Sequence, residues 1–439
     1  MTLYRDPVNH ELFHTYKVQT CSGQPLEVIT ISGQSIAIQP ATTAGDAFGR
    51  LRTSDPYTIF DSSHRYGENA SWNTATGTGG TYAFNTSGGL IDLNVDTTSG
   101  AKVYRETKKV FPYQPGKSLE VMNTFVMAPG QANLRQRVGY FSSGNGLYFE
   151  VSGTESPYFV KRSSVSGSIV DTRIQQSGWN IDKLDGTGKS GFTLDPTKAQ
   201  ISWFDVEWLG VGTVRAGFVI DGQFVHCHSF HHANIENATY MTTATLPLRY
   251  EIENLGTTAS GATLKQICST VISEGGYELR GIGGAAGHDP SLKYDLTATG
   301  TYYPIASIRL KSTKPDAAVV LAGLSLVGTT NNALYNWRLI AGGTTTGGSW
   351  VDPGSGSAVE YNLTATGFTQ GSGRILGEGY SIGSNQGSTV AELNKEDLFK
   401  YQLERNSFTA TFVELTVVTA TDNAGADVVA ALNWEEVVS

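Results

Sequence analysis

The chain has 439 residues, of which 31 are Lys or Arg and 40 are Asp or Glu, for a net charge of −9 with only 16% of residues charged. A share so far below the usual ~25% argues against coiled coils and long solvated helices, while 39% hydrophobic and 10% aromatic residues argue against intrinsic disorder. A net acidic chain without lysine clusters is also a poor partner for nucleic-acid phosphates.

The first 20 residues carry Arg5, Asp6, Glu11 and Lys17 and no apolar stretch of signal-peptide length. The longest apolar run, Ala317–Gly328, is interrupted by Gly and Ser and falls short of the ~20 residues a bilayer span needs. Cys21, Cys227 and Cys268 are scattered and odd in number, so they imply neither a disulfide framework nor a CxxC metal site. These features lead us to expect a protein assembled in a cytoplasm, with no membrane insertion.

Period-2 alternation bounded by Gly, Asn, Asp and Ser recurs throughout, which predicts an all-β chain. Residues 1–45 read as an N-terminal arm, with Leu12, Phe13 and Tyr16 as an apolar cluster and short strands at Leu26–Ile31 and Ile36–Ile38. So short a segment cannot bury both faces of its strands, and its expected role is docking or oligomerisation. Residues 46–285 contain longer, aromatic-rich strands, among them Lys117–Val126, Gly146–Val151 and Ile201–Trp208. In the last of these Phe204, Val206 and Trp208 share one face, and Asp205 and Glu207 share the other with Trp203. Asp221-Gly222, between Gly217–Ile220 and Phe224–Phe230, predicts a hairpin closed by a type I′ turn. Such strands pack as an antiparallel β-sandwich.

Gly275-Gly276 and the stretch Gly281–Gly287 precede a shift to small residues, placing a boundary near 285. Residues 286–439 carry predicted strands at Ile305–Leu310, Ala318–Leu326, Tyr335–Ile340, Thr409–Val418 and Asp427–Trp434, the last two joined as a hairpin through Asp422-Asn423-Ala424-Gly425. Asn394–Arg405 fits a capped helix and an alternating strand equally well. Tyr294–Gly300 echoes Tyr361–Gly367, and the match reads as two similar strands of a jelly-roll-like sandwich.

Candidate chemistry is sparse. His226 and His228, within His226-Cys227-His228-Ser229-Phe230-His231-His232, would share a strand face and could share a metal, yet nothing nearby completes a ligand set. Asp205/Glu207 and Glu251/Glu253 are pairs of the kind sandwich glycosidases use, but Arg249 beside the second pair favours ion pairing. Asp185-Gly186-Thr187-Gly188-Lys189-Ser190 ends like a phosphate loop, but lacks the first glycine and the strand–helix setting, so it reads as a surface turn. Tyr66, Trp72 and Tyr82 are aromatics that could stack on sugar rings. No residue is therefore assigned as catalytic, cofactor-binding or metal-binding, and no cofactor is expected.

Several segments carry a resemblance. They begin with Phe48-Gly49-Arg50-Leu51-Arg52-Thr53-Ser54 and Ile59-Phe60-Asp61. Tyr113-Gln114-Pro115-Gly116-Lys117-Ser118, Arg137-Val138-Gly139-Tyr140-Phe141 and Asn145-Gly146-Leu147 follow. The longest are Trp179–Gly186 and Trp203–Gly212, and the last is Leu248-Arg249-Tyr250-Glu251-Ile252-Glu253-Asn254. Over about residues 46–280 the chain resembles virion structural proteins of tailed bacteriophages from aquatic environments, cyanophages included. The resemblance implies a component of the particle's exterior, on the tail, neck, baseplate or fibre or decorating the capsid. It brings no catalytic residues.

The expected fold is thus all-β: a docking arm, a concanavalin- or laminin-G-like sandwich (46–285) and a jelly-roll-like sandwich (286–439). The expected function is non-enzymatic: a virion protein that stabilises the particle and contacts the host surface. Its expected partners are other virion proteins and further copies of itself, a trimer being one arrangement. The competing reading is a glycan-binding receptor module or a polysaccharide depolymerase of a tail fibre or spike.

Overall fold

The computed structural model describes residues 2–5, 12–19, 25–31, 34–38, 55–278, 280–354, 356–383, 389–391, 399–406, 408 and 412–438, with the backbone alone for the first four ranges and 389–391. The chain divides into two compact units, Met1–Pro56 and Tyr57–Ser439. In the first, Thr2–Arg5, Leu12–Gln19, Pro25–Ile31 and Gln34–Ile38 form a four-stranded antiparallel meander in chain order.

The second unit is all-β and antiparallel, as the alternation predicts. An eight-stranded sheet runs in the order Gln223–Phe230, Val214–Ile220, Gln200–Val206, Ser118–Val126, Ala262–Glu274, Leu90–Val95 and Gly80–Asn85, with Tyr57–Ser62 also pairing with Ala262–Glu274. A seven-stranded sheet runs Val170–Gln175, Tyr158–Ser163, Gly146–Ser152, Leu134–Phe141, Leu248–Asn254, Lys102–Thr107 and Trp72–Thr76. Alternation sends Phe125, Phe204 and Phe218 of the first sheet and Phe149 and Phe159 of the second into one buried cluster. Their rings meet at 5.1 Å (Phe149–Phe218) and 5.8 Å (Phe159–Phe204), and Trp179 packs in at 4.5 Å from Phe159. Aromatic pairs at such spacings add to the large area these side chains bury. The result is a two-sheet antiparallel β-sandwich. The hairpin turn is as read from Asp221-Gly222: both residues have positive φ, 51° and 73°.

The remaining strands make a second sandwich. One sheet is Ile282–Gly287, Ala426–Val438, Ala318–Gly328 and Thr389–Ala391, with Tyr294–Leu296 also on Ala426–Val438. The other is Val359–Asn362, Tyr303–Leu310, Leu415–Thr421, Leu334–Ala341 and Arg374–Ile382. Ile305, Ile308, Leu321, Leu339, Val417, Leu432 and Trp434 form one buried cluster between the two sheets.

Three sequence expectations change here. Leu415–Thr421 and Ala426–Val438 are not a hairpin: they lie in different sheets, and Asp422–Gly425 turns the corner of the sandwich, with Gly425 at φ 78°. The expected strand from Thr409 begins only at Leu415, while Thr409 itself lies outside the described residues. Of Asn394–Arg405, the part before Phe399 also lies outside them, and Phe399–Tyr401 is a single 3-10 turn rather than a helix or strand. The two echoed segments fall in opposite sheets and touch, Tyr294 donating its hydroxyl to Ala365 O at 2.8 Å.

Phe399–Arg405 and Phe408 also tie the two sandwiches together. Gln402 Nε2 donates to Val110 O at 2.8 Å, Arg405 pairs with Glu106 at 2.7 Å, and Phe408 packs edge-on against Tyr104 at 4.5 Å. Lys109 donates to Phe399 O, and burial lowers its pKa to about 8.

Candidate functional site

The strand Gln200–Val206 buries Phe204 and Val206, so Asp205 faces outward. Register places Glu120 and Arg215 directly across from it, and Ser229 across from Arg215. Asp205 accepts hydrogen bonds from Ser118 Oγ on one carboxylate oxygen and from Arg215 on the other. Glu207 does not continue that row. The strand ends at Val206, and Glu207 opens a tight turn in which its N–H meets Thr213 O at 3.1 Å and its Oε2 accepts Thr213 N–H at 3.2 Å. Leu209 and Gly210 take positive φ in this turn, 38° and 81°.

The turn and the start of the strand Ser118–Val126 enclose a recess of about 430 Å³, lined by Tyr113, Lys117, Ser118, Asp205, Glu207, Leu209, Thr213 and Arg215, with the backbone of Gly116. Its chemistry is that of fixed acceptors and donors. The Asp205 carboxylate, already bonded to Ser118 and Arg215, is held in place to accept hydrogen bonds from further hydroxyl groups. Across the sheet, burial and then the charge of Glu274 push the Glu120 carboxyl up, against the pull of Arg215.

The histidine cluster reaches the same region by way of the hairpin. His231 Nδ1 lies 3.3 Å from Thr213 Oγ1 at the rim. His226 and His228 do not share a face as alternation alone predicts. A bulge at Cys227 pairs His226 with Gly217 and His228 with Ala216, neighbouring residues that themselves point to opposite sides. His228 is buried, with its pKa lowered to about 4 by that burial and by His226, and its Nδ1 accepts Asn180 N–H at 3.3 Å. His226 Nε2 lies 2.9 Å from Ser229 Oγ and 3.2 Å from His228 O. Among the described residues no three His, Cys, Asp or Glu side chains converge as a metal site would require.

Glu251 and Glu253 lie elsewhere, on the outer face of the seven-stranded sheet, within an ion-pair network. Glu251 meets Arg137, Arg249 at 2.6 Å and Lys102 at 2.9 Å, and Glu253 meets Arg135, Arg137 at 3.0 Å and Lys102 at 3.3 Å. Burial alone would raise the Glu251 carboxyl, but Arg249, Arg137 and Lys102 hold it well below the usual carboxylate range. These carboxylates are committed to structure. In the phosphate-loop-like stretch, Asp182 accepts Ser190 N–H at 2.8 Å and Leu184 N–H at 2.9 Å. A Cβ on Gly188 would sit 2.0 Å from Asp182 Oδ1, so the stretch is a turn closed on an aspartate. Of the three aromatics, Tyr66 is 91% exposed and Tyr82 partly so, whereas Trp72 is a core residue whose Nε1 donates to Ser62 Oγ at 2.8 Å.

Sequence reasoning therefore found Asp205 and Glu207 but not the partners that define the recess. Arg215 was within reach: a turn at Glu207–Thr213 between two alternating strands sets it opposite Asp205. Tyr113, Lys117 and Ser118 were not, because they come from a segment far earlier in the chain, Ser118 lying 87 positions from Asp205.

No family model matches the chain, and no curated protein matches it. Solved structures similar to about half of it include the carbohydrate recognition domain of Emp47p (10% identity, TM-score 0.32, 49% of this chain and 96% of that one). Another is the CBM2 module of the Lactobacillus casei BL23 phage J-1 evolved Dit (4% identity, TM-score 0.33, 52% of this chain and 100% of that one). A third is peanut lectin (9% identity, TM-score 0.27, 50% of this chain and 98% of that one). What they share with this chain is the strand architecture of a two-sheet antiparallel sandwich.

Proposed function

We propose that this chain is a non-catalytic, glycan-contacting protein on the exterior of a tailed-phage particle, and that the recess at Asp205 and Glu207 receives the sugar. One observation carries the reading. Tyr113–Ser118 and Trp203–Gly212, two of the segments on which the resemblance to phage virion proteins rests, form the walls of a single recess of about 430 Å³. Its size falls within the ~300–1,000 Å³ of small-molecule sites. Its lining mixes ionised acceptors, cationic donors and apolar edges, the combination a pyranose ring with its hydroxyls and C–H faces requires. Leu209 adds to this: a leucine held at positive φ is a strained position, of a kind that functional loops characteristically carry. The locked Asp205–Arg215 pair supports binding over hydrolysis.

The test is a glycan microarray probed with the purified chain, followed by a reducing-end assay on each polysaccharide bound. Binding that falls in Arg215→Ala and Glu207→Ala, with no reducing ends released, is the expected result. Release of reducing ends that disappears in Glu207→Gln would make the chain a depolymerase instead.

A further inference from the structure

A second recess lies on the other sandwich. Along Leu334–Ala341, alternation sends Tyr335 and Leu339 into the core and leaves Asn336 and Arg338 on the outer face. Register sets Asn336 directly between Tyr380 on one neighbouring strand and Ala420 on the other. Ala420 is the smallest side chain of that row. Tyr302, just before the strand Tyr303–Leu310, rises beside it. The outcome is a hollow of about 470 Å³ with Ala420 in its floor, Tyr302 and Tyr380 as walls, and Leu334, Thr299 and Asp422 at its ends.

Tyr302 is clamped from several directions although it lies outside any strand. Its hydroxyl donates to Asn336 Oδ1, and Asn336 Nδ2 is itself committed to Gly379 O at 3.2 Å. The Gln370 side-chain amide bonds both its N–H, at 3.2 Å, and its C=O, at 2.8 Å. The Arg338 guanidinium stands 4.3 Å from the centre of its ring and is neutralised by Glu378 at 2.9 Å. Tyr380, by contrast, is 64% exposed, and Ile382 and Leu334 extend the apolar surface beside it. The Tyr302 wall and the Asn336 amide are ordered before any ligand arrives, and an exposed aromatic stands opposite them.

We infer that this hollow is a second carbohydrate site, taking a neutral pyranose unit of a glycan chain between Tyr302 and Tyr380. The aromatic faces suit the C–H faces of a sugar ring, and the Thr299 hydroxyl and the Asp422 carboxylate suit its hydroxyls. Of the residues lining the hollow, Asp422 alone is charged, which disfavours uronic or sialic acids. The inference shares its ligand class with the function proposed above but rests on different residues.

The experiment is saturation-transfer NMR and calorimetry on the full chain with a panel of neutral hexasaccharides (β-1,4-glucan, α-1,4-glucan, β-1,4-mannan, β-1,4-xylan), and with oligogalacturonate as the anionic probe. At least one neutral hexasaccharide should bind, and Tyr380→Ala should weaken that binding by about tenfold or more. Ala420→Leu, which fills the floor while keeping both tyrosines, should do the same, with thermal unfolding of both variants confirming the fold. If binding is lost in Arg215→Ala but unchanged in Tyr380→Ala and Ala420→Leu, this inference falls and the Asp205 recess stands. If the reverse holds, the inference stands and the Asp205 recess loses its role. No binding by any neutral sugar, or tighter binding of oligogalacturonate, overturns the inference outright.

Discussion

Replacing Glu251 tests whether the second carboxylate pair is structural. Glu251 is 1% exposed, and among the described residues five cations (Lys102, Arg135, Arg137, Arg249, Arg405) meet four carboxylates (Glu106, Glu251, Glu253, Asp316) in its network. Removing the central carboxylate leaves the cations in excess by two in a largely buried region. Arg137 keeps Glu253 at 3.0 Å and Arg249 keeps Glu106 at 2.9 Å, so the loss is partly cushioned. Breaking a buried pair from one side costs about 3–5 kcal/mol. We therefore expect about 3 kcal/mol for Glu251→Leu, and less for Glu251→Gln, which keeps the shape and one acceptor. At about 2–4 °C per kcal/mol for a sandwich of this size, the midpoint should drop by about 6–12 °C. Calorimetry reads the shift, and added salt should change it little because the network is shielded. The double variant Glu251→Leu with Arg137→Met should recover part of the loss. A midpoint within about 2 °C of the parent for Glu251→Leu would refute the reasoning.

Four further outcomes follow from geometry. His64 and His228 have pKa values lowered to about 4, chiefly by burial, and each accepts a backbone N–H through Nδ1. Their folded values lie below the unfolded 6.5, so the stability they allow is complete above pH 6.5 and is lost as pH falls toward 4. Denaturant titrations between these limits should show that loss, and it should flatten when His64→Gln and His228→Gln are combined. Gly222→Ala should cost about 1 kcal/mol, since only its φ of 73° objects. Gly217→Ala should cost more by chemical denaturation, because its Cβ would stand 2.0 Å from Val225 O and 2.8 Å from the Trp203 ring. Arg405→Ala should loosen the junction between the sandwiches, giving two calorimetric transitions and faster proteolysis near residue 405; one unchanged transition would show that Arg405 does not couple them.

The all-β class was legible in the sequence because a period of two is a local property. Where Phe204 and Val206 alternate with Trp203 and Asp205, the faces follow from backbone geometry alone, and Asp221-Gly222 specifies its own turn. Local rules failed where the outcome depended on a neighbouring strand. A single bulge at Cys227, between His226 and His228, separated two imidazoles that alternation places together. The corner at Asp422–Gly425 looked like a hairpin because the same four residues serve either connection; which sheet the next strand joins is decided by the core on which its apolar face is buried. The acidic pairs show the same division. Asp205/Glu207 and Glu251/Glu253 are alike in sequence, a carboxylate at every second position. Register alone gives Glu251 three cations and no opening, while it sets Asp205 against one arginine at the mouth of a recess. Tyr302, Asn336, Tyr380 and Ala420 carry no motif at all; they meet only because three strands align Asn336, Tyr380 and Ala420 in one row and Tyr302 is held beside it.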